Sequence, residues 1–286
     1  MFAILGASGH TGSVVARSLI AAGKKVRVLV RDPSKIAGLG AEVVVGHAER
    51  AADLDASFAG AEGAYVLFPP DSASNDFAAR NRALADAYAT ALTKAKVPHV
   101  VMLSSVGAQL PSGAGPISTL HYAEEKLGAL QGTRATFLRA AYFMENLGGM
   151  LGAMKEQGVL PVFSQHLAHA FPMIATKDIG EAAARALLET PKRNEIIELV
   201  GPKDTSYADA ARAFGAALGK TVTAVSVPYE AIVPTLTGFG MSAHMAGLYR
   251  EMSEGFDAGR IGYDGKGRRV SGRIDVEAFA KSFVAG

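Results

Sequence analysis

Tyr122 and Lys126 stand four residues apart, a spacing that puts both side chains on one face of a helix. A lysine ammonium beside a phenol favours the phenolate and lowers its pKa, so the pair suits proton exchange with a carbonyl or alcohol. Ser104 or Ser105, at the end of an apolar run, would hold the substrate oxygen. Near the N-terminus the segment Phe2-Ala-Ile-Leu5 opens directly into glycines at positions 6, 9 and 12. That pattern reads as a strand turning into a helix around a phosphate. Gly6 permits the tight turn, Gly9 lets backbone N–H groups approach a pyrophosphate, and Gly12 lets the helix lie close to the strand. Ser8, His10 and Thr11 supply polar atoms around the loop. The spacing is GxxGxxG instead of the dinucleotide GxGxxG, so its meaning depends on the elements around it. His166 and His169 are three apart, but two histidines without a carboxylate or cysteine cluster are too few for a metal site. They read as loop histidines near the cleft, and no metal is expected.

The elements that must position these groups follow from the apolar pattern. Ser13 to Ala22 has helical spacing and stops at Gly23, and Lys25 to Val30 is a second strand. Arg31 ends that strand, about 20 residues past the glycines, where a doubly wound fold recognises the cofactor ribose. Its planar fork of donors fits a 2′-phosphate, which favours NADP(H) over NAD(H). Asp32-Pro33 reads as an N-cap followed by proline in the first helical position, so its carboxylate is assigned to backbone N–H groups. Ala41 to Val45 is a third strand ending at Gly46-His47, and Gly63 to Phe68 a fourth running into Pro69-Pro70. Ligands bind at the carboxyl ends of such strands, so His47, Phe68 and Pro69 are candidates for the cleft wall, with packing the equal alternative for Phe68. Asn75 to Ala95 is a long helix, Pro98 to Leu103 a fifth strand, Ser118 to Gln131 a helix and Thr136 to Arg139 a sixth strand. On the helix wheel Leu120, Ala123, Leu127 and Leu130 share an arc, Tyr122 and Lys126 sit at its edge, and Glu124 intrudes on it. Tyr142 follows the sixth strand and can line the nicotinamide or substrate side. Lys177-Asp178 is expected to cap a helix through Leu188, and Arg260, Lys266, Arg268, Arg269 and Arg273 fall in a basic loop that is either solvated surface or an anion contact. Strand alternating with helix over short connections implies right-handed crossovers and a parallel sheet.

Composition bounds the rest. The chain has 286 residues, 49% of them hydrophobic, enough for one large core plus a small lobe. A net charge of +2 without a charge block argues against nucleic acid. The absence of cysteine excludes disulfides and thiol chemistry. No apolar run approaches the ~18 residues of a membrane span. A first strand starting at Phe2 leaves no room for a signal segment, so a cytoplasmic protein is expected.

With the elements placed, the chain resembles the NmrA-like family of atypical short-chain dehydrogenases/reductases nearly end to end. The resemblance rests on Gly6-Ala-Ser-Gly-His-Thr-Gly12, Val30-Arg-Asp-Pro-Ser34, Met102-Leu-Ser-Ser105, Leu138-Arg139 with Phe143-Met-Glu-Asn-Leu147, Lys177-Asp-Ile-Gly180 and Leu199-Val-Gly-Pro202. It implies an α/β, doubly wound parallel-sheet Rossmann fold with a smaller C-terminal α/β substrate lobe. Residues 1–150, with 176–200 returning, would bind NADP(H), and residues 151–175 and 201–286 would form the lobe. It implies an NADPH-dependent oxidoreductase that transfers hydride to a small electron acceptor such as a quinone or azo dye. Two alternatives stay open: an NADP(H)-sensing regulator with little catalysis, and a carbonyl reductase using Tyr122 and Lys126. In the quinone reductase pattern His121 and Glu125 align with a His-x-x-x-Glu helix, and no catalytic tyrosine is required. The expected site is therefore Gly6, Ser8, Gly9, His10, Thr11, Gly12, Arg31, His47, Phe68, Pro69, Ser104 and Tyr142 for the cofactor, with Tyr122 and Lys126 for proton transfer. The expected partner is a small-molecule acceptor, with a homodimer or a regulatory protein partner left open.

Overall fold

The structure, a computed structural model, describes residues 1–189 and 191–286. Its first part alternates strand and helix: β1 (Phe2–Leu5), α1 (His10–Ala21), β2 (Val26–Val30), β3 (Glu42–Val45), α2 (Ala51–Phe58), β4 (Gly63–Val66), α3 (Phe77–Ala95), β5 (His99–Ser105), α4 (Ser118–Gly128) and β6 (Arg134–Ala140). There follow β7 (Tyr142–Phe143), α5 (Glu145–Gly148), α6 (Leu151–Gln157), β8 (Val159–Val162), β9 (Phe171–Ile174), α7 (Thr176–Leu188), β10 (Glu195–Val200), β11 (Asp204–Thr205), α8 (Tyr207–Leu218), β12 (Thr223–Ser226), α9 (Tyr229–Gly238), α10 (Ala243–Asp257), β13 (Arg268–Ser271) and α11 (Val276–Ala285).

One sheet dominates, in the order β13-β10-β6-β5-β4-β1-β2-β3, with every neighbouring pair parallel. Its inner strands β1 and β4 are buried at every position, which is why they read as unbroken apolar runs. Val15, Leu19, Ile179 and Ala183 bring α1 and α7 onto one face. Leu54, Phe58, Leu84, Leu92 and Leu127 bring α2, α3 and α4 onto the other. The chain winds from β1 outward through β2 and β3, then returns to β4 on the other side of β1. The sheet is thus the expected doubly wound Rossmann fold, and its topological switch point lies between β1 and β4, where such folds bind ligands.

A third core built on Met144, Met154, Leu160, Phe214 and Phe279 joins α5, α6, α8 and α11 to the short sheets β11-β9-β7 and β12-β8. Two expectations need correction. The basic stretch is partly an element of the main sheet: β13 pairs with β10 from Ile197↔Arg268 to Val200↔Ser271. Its arginines hide the strand because an exposed edge carries charge, and only Val270 packs toward the core. Nor do Lys177 and Asp178 cap α7. The carboxylate of Glu145 does so from a distance, accepting the Thr176 N–H at 2.9 Å and its hydroxyl at 2.6 Å. Asp178 instead accepts the N–H groups of Arg273 and Ile274, both at 2.9 Å, and fixes the chain as it leaves β13. Among the described residues no helix is long and apolar enough to cross a membrane.

Candidate functional site

β1 ends in a turn that only glycine tolerates well. Gly6 has φ of 70°, and its carbonyl accepts the Gly9 N–H at 2.9 Å. A Cβ on Gly12 would lie 2.3 Å from the Gly6 oxygen, so the close packing expected of Gly12 is present. Gly9 occupies the N-cap position of α1 and supplies no side chain, and the first turn contains no acidic residue. Ser13 is the first helical residue whose N–H reaches back, to Gly9 at 3.1 Å. The N–H groups of His10, Thr11 and Gly12 therefore open the helix without intrahelical partners, beside the exposed Ser8, Gly9 and His10. A bare, positively polarised helix start with no competing carboxylate fits the phosphates of a dinucleotide. Thr11 departs from expectation in one respect. Its side chain turns inward and accepts the Tyr65 hydroxyl at 2.9 Å, which leaves only its backbone N–H facing outward.

The rim around this turn is built from the neighbouring strand ends. Leu5 pairs with Leu29, so Arg31, two residues further on, stands beside the glycine turn. Arg31 is exposed and takes part in no hydrogen bond or ion pair with the described residues. Asp32 is used as expected: its carboxylate accepts the Ser34 N–H at 3.0 Å and caps a 3₁₀ turn over Pro33–Ile36. These hydrogen bonds hold the Asp32 carboxyl below the usual carboxylate range. His47 is exposed at the end of β3, with its N–H given to Asp53 at 2.8 Å. Beyond β4, Leu67 packs on Gly6, while the Phe68 ring tilts onto Tyr88 of α3 at 5.4 Å. Phe68 packs against the core there and stays partly exposed. The Pro69 carbonyl accepts a guanidinium N–H of Arg80, which also reaches Glu49 at 2.9 Å and Asp71 at 3.4 Å. Arg80 ties together the loops after β3 and β4. Sequence reading missed it because a single arginine on a polar helix face gives no signal of three partners.

The residues expected to carry proton transfer lie elsewhere. Tyr122 donates to Asp86 of α3 at 2.9 Å, and Lys126 meets the same carboxylate oxygen at 2.7 Å. The Asp86 hydrogen bond raises the Tyr122 pKa and outweighs the opposing effect of Lys126, the reverse of the expected activation. Lys126 is raised by Asp86 as well. The hydrogen bond from Asn81 to Thr119 lies nearer the starts of α3 and α4 than this group, which sits further down the seam between the two helices. Ser104 is also withdrawn from the cleft: it is buried and donates to Glu124 at 2.6 Å. Glu124 in turn makes a two-pronged pair with Arg139 at 3.0 and 2.7 Å, and Asp264 approaches Arg139 at 3.2 Å. The intruder on the apolar arc of α4 was the available signal for this buried ion pair.

Tyr142, directly past the end of β6, joins an aromatic group. Its ring meets Phe171 edge-on at 5.7 Å and Tyr207 edge-on at 6.0 Å, and Phe171 and Tyr207 lie 5.0 Å apart. Burial pushes the Tyr142 hydroxyl up to about 12. His166 and His169 are exposed in the loop between β8 and β9, and no group of His, Asp or Glu among the described residues is arranged to hold a metal. An open trough of about 940 Å³ beside α4 is lined by Gln109, His121, Glu125, Arg139 and Lys266, away from the glycine turn.

The chain is 28% identical over 261 residues to an NAD(P)H azoreductase of Xenophilus azovorans, covering 88% of this chain and 86% of that protein. It is 27% identical over 262 residues to an uncharacterised oxidoreductase of Bacillus subtilis, covering 90% and 84%. An NADPH-dependent quinone oxidoreductase from Escherichia coli, solved with NADPH, superposes with a TM-score of 0.80 at 22% identity over 99% of both chains. The triphenylmethane reductase of Citrobacter sp., solved with NADP(H), gives a TM-score of 0.73 at 21% identity over 89% of this chain and 90% of that one. These two structures share its fold. The NmrA-like family matches residues 1–277, and the chain belongs to that family.

Proposed function

We propose that this NmrA-like oxidoreductase binds NADP(H) in preference to NAD(H) and reduces a small aromatic electron acceptor such as a quinone or an azo dye. The observation that carries the reading is the uncapped start of α1 with the unpaired Arg31 beside it. A bound NADPH would supply a hydride to the acceptor, with a proton from water to complete the reduction. The N–H groups of His10, Thr11 and Gly12 hold the phosphates, with Ser8 beside them, and the Arg31 guanidinium holds the 2′-phosphate. His47 and the Arg80-fixed Pro69 loop border the cleft. Residues 1–150 and 176–200 carry the cofactor, and 151–175 with 201–286, apart from β13, carry the acceptor. Tyr122 and Lys126, engaged by Asp86, take no part, so a ketone that needs a general acid is a poor substrate. The names of the azoreductase, quinone oxidoreductase and triphenylmethane reductase support this substrate class.

The test is NADPH oxidation measured with a quinone, an azo dye and a saturated ketone. Turnover of the first two and not the third is expected. If all three are inert while NADPH binds, the regulatory reading replaces the enzymatic one.

A further inference from the structure

The start of α1 and Arg31 account for the phosphates of a dinucleotide, and its adenosine lies between them. The carboxyl ends of β1 and β2 open between β4 on one side and β3 on the other, three strand spacings or about 14 Å apart. The Gly46 N–H donates to the Val30 carbonyl at 2.9 Å, so the loop after β3 starts one strand spacing from Arg31. Leu67 packs on Gly6, so the loop after β4 starts beside the glycine turn. These two loops flank the crevice in which the adenosine would sit.

Arg80 stands in the first turn of α3, and all three of its guanidinium nitrogens are engaged. Nη1 donates to the Pro69 carbonyl at 3.1 Å, Nη2 donates to Glu49 at 2.9 Å, and Nε meets Asp71 at 3.4 Å. Asp71 also accepts the Ala73 N–H at 3.2 Å, so it shapes its own turn while it pairs. One planar fork thus joins the loop after β3 to the loop after β4, a task for which a lysine has too few fixed donors. Tyr88, on the same stripe of α3, donates to the Leu67 carbonyl at 3.0 Å. α3 lies on the sheet face opposite α1, so the tie and the start of α1 border the crevice from opposite faces. The far end of the β4 loop is held independently by Ser242, whose N–H donates to the Ser72 carbonyl at 2.8 Å and whose hydroxyl donates to the Ser74 carbonyl at 2.5 Å. Loss of Arg80 therefore releases the part of the loop that faces the crevice and leaves its outer end fixed.

We propose that Arg80 is a positioning residue for the adenosine of the cofactor: through Glu49, Pro69 and Asp71 it holds the two loops at one separation, so that the base enters a slot already formed. The inference rests on the NADP(H) reading. Loops ordered before binding lose no affinity to ordering when the ligand arrives. Arg80 acts through the loops and not on the 2′-phosphate, so unlike Arg31 it affects NADP(H) and NAD(H) alike.

The probes are NADP+, NAD+ and adenosine 2′,5′-bisphosphate, titrated calorimetrically into the full chain. Arg80→Ala should weaken all three by about fivefold, the bisphosphate included because the effect lies at the adenosine end. Arg80→Lys keeps the charge but not the fork, and should recover affinity to within about twofold of wild type. Glu49→Gln alters an exposed side chain and breaks the tie from its other end, so a two- to threefold loss, about half the Arg80→Ala effect in free energy, is expected even if Arg80→Ala does not fold. Unchanged affinities in Arg80→Ala and Glu49→Gln overturn the proposal. So does a loss that spares NAD+, which would put Arg80 on the 2′-phosphate, or one that spares the bisphosphate or is not recovered by Arg80→Lys. If the wild-type chain binds none of the three probes, the cofactor reading falls as well. If wild type binds NADP+ and the variants bind it equally well, that reading stands and the role of Arg80 alone falls.

Discussion

Asp86 decides what the Tyr122 and Lys126 pair can do. Taken alone, their spacing describes an activated phenol, but the carboxylate accepts from Tyr122 at 2.9 Å and draws Lys126 to 2.7 Å. Tyr122→Phe should therefore leave quinone reduction within about twofold of wild type in steady-state assays, whereas a general acid would cost about 100-fold or more. The sequence showed the two residues and not their partner, because Asp86 lies 36 positions away on another helix. Ser104 was misplaced for the same reason, since its partner Glu124 is 20 residues on. Gly6, Gly12 and Asp32 were legible because each acts on backbone within a few residues, through a left-handed turn, a close approach and a cap. Thr11 shows the limit of that reading: its position in the loop was clear, but the inward turn of its side chain toward Tyr65 depends on β4.

The elements are joined by caps and ties that cross long stretches of chain. Glu145, at the start of α5, satisfies the first N–H of α7 and the hydroxyl of the same residue, Thr176. Glu145→Ala should cost about 1 kcal/mol, seen as a melting point lower by about 2–4 °C in a circular dichroism melt. No change in that melt would mean that α7 is held by its apolar face alone. Strands such as β1 and β4 were legible because parallel strands covered on both faces are apolar throughout, whereas β3 is an exposed edge read from its run of valines. β7 and β11 are two-residue strands and β13 is an arginine-bearing edge, so none of them makes the pattern by which strands are recognised. What holds them is pairing with partners remote in sequence.

Across the whole molecule, the two faces of the large sheet carry separate cores, and polar groups inside them make stability depend on pH. His99 in β5 is 5% exposed and lies 3.0 Å from the Thr136 hydroxyl. Burial lowers its pKa from 6.5 to about 4. Because the folded chain resists protonation more than the unfolded one, this contribution is fully present above pH ~6.5 and is lost as the pH falls toward 4. It amounts to about 3 kcal/mol, and His99→Gln should flatten the dependence of melting temperature on pH across that window. A variant with the same slope as wild type would place the acid sensitivity elsewhere.

The same large sheet sets the polarity of the cleft, with the glycine turn at its switch point and Arg31 and Tyr142 on opposite sides. The account depends most on what the turn and Arg31 hold. Calorimetric titration of NADP+ and NAD+ into wild type and Arg31→Ala tests this directly. Loss of a charge-assisted contact to the 2′-phosphate should weaken NADP+ by about 10- to 100-fold and leave NAD+ within about twofold. Equal losses for both cofactors, or no loss for either, would contradict the assignment.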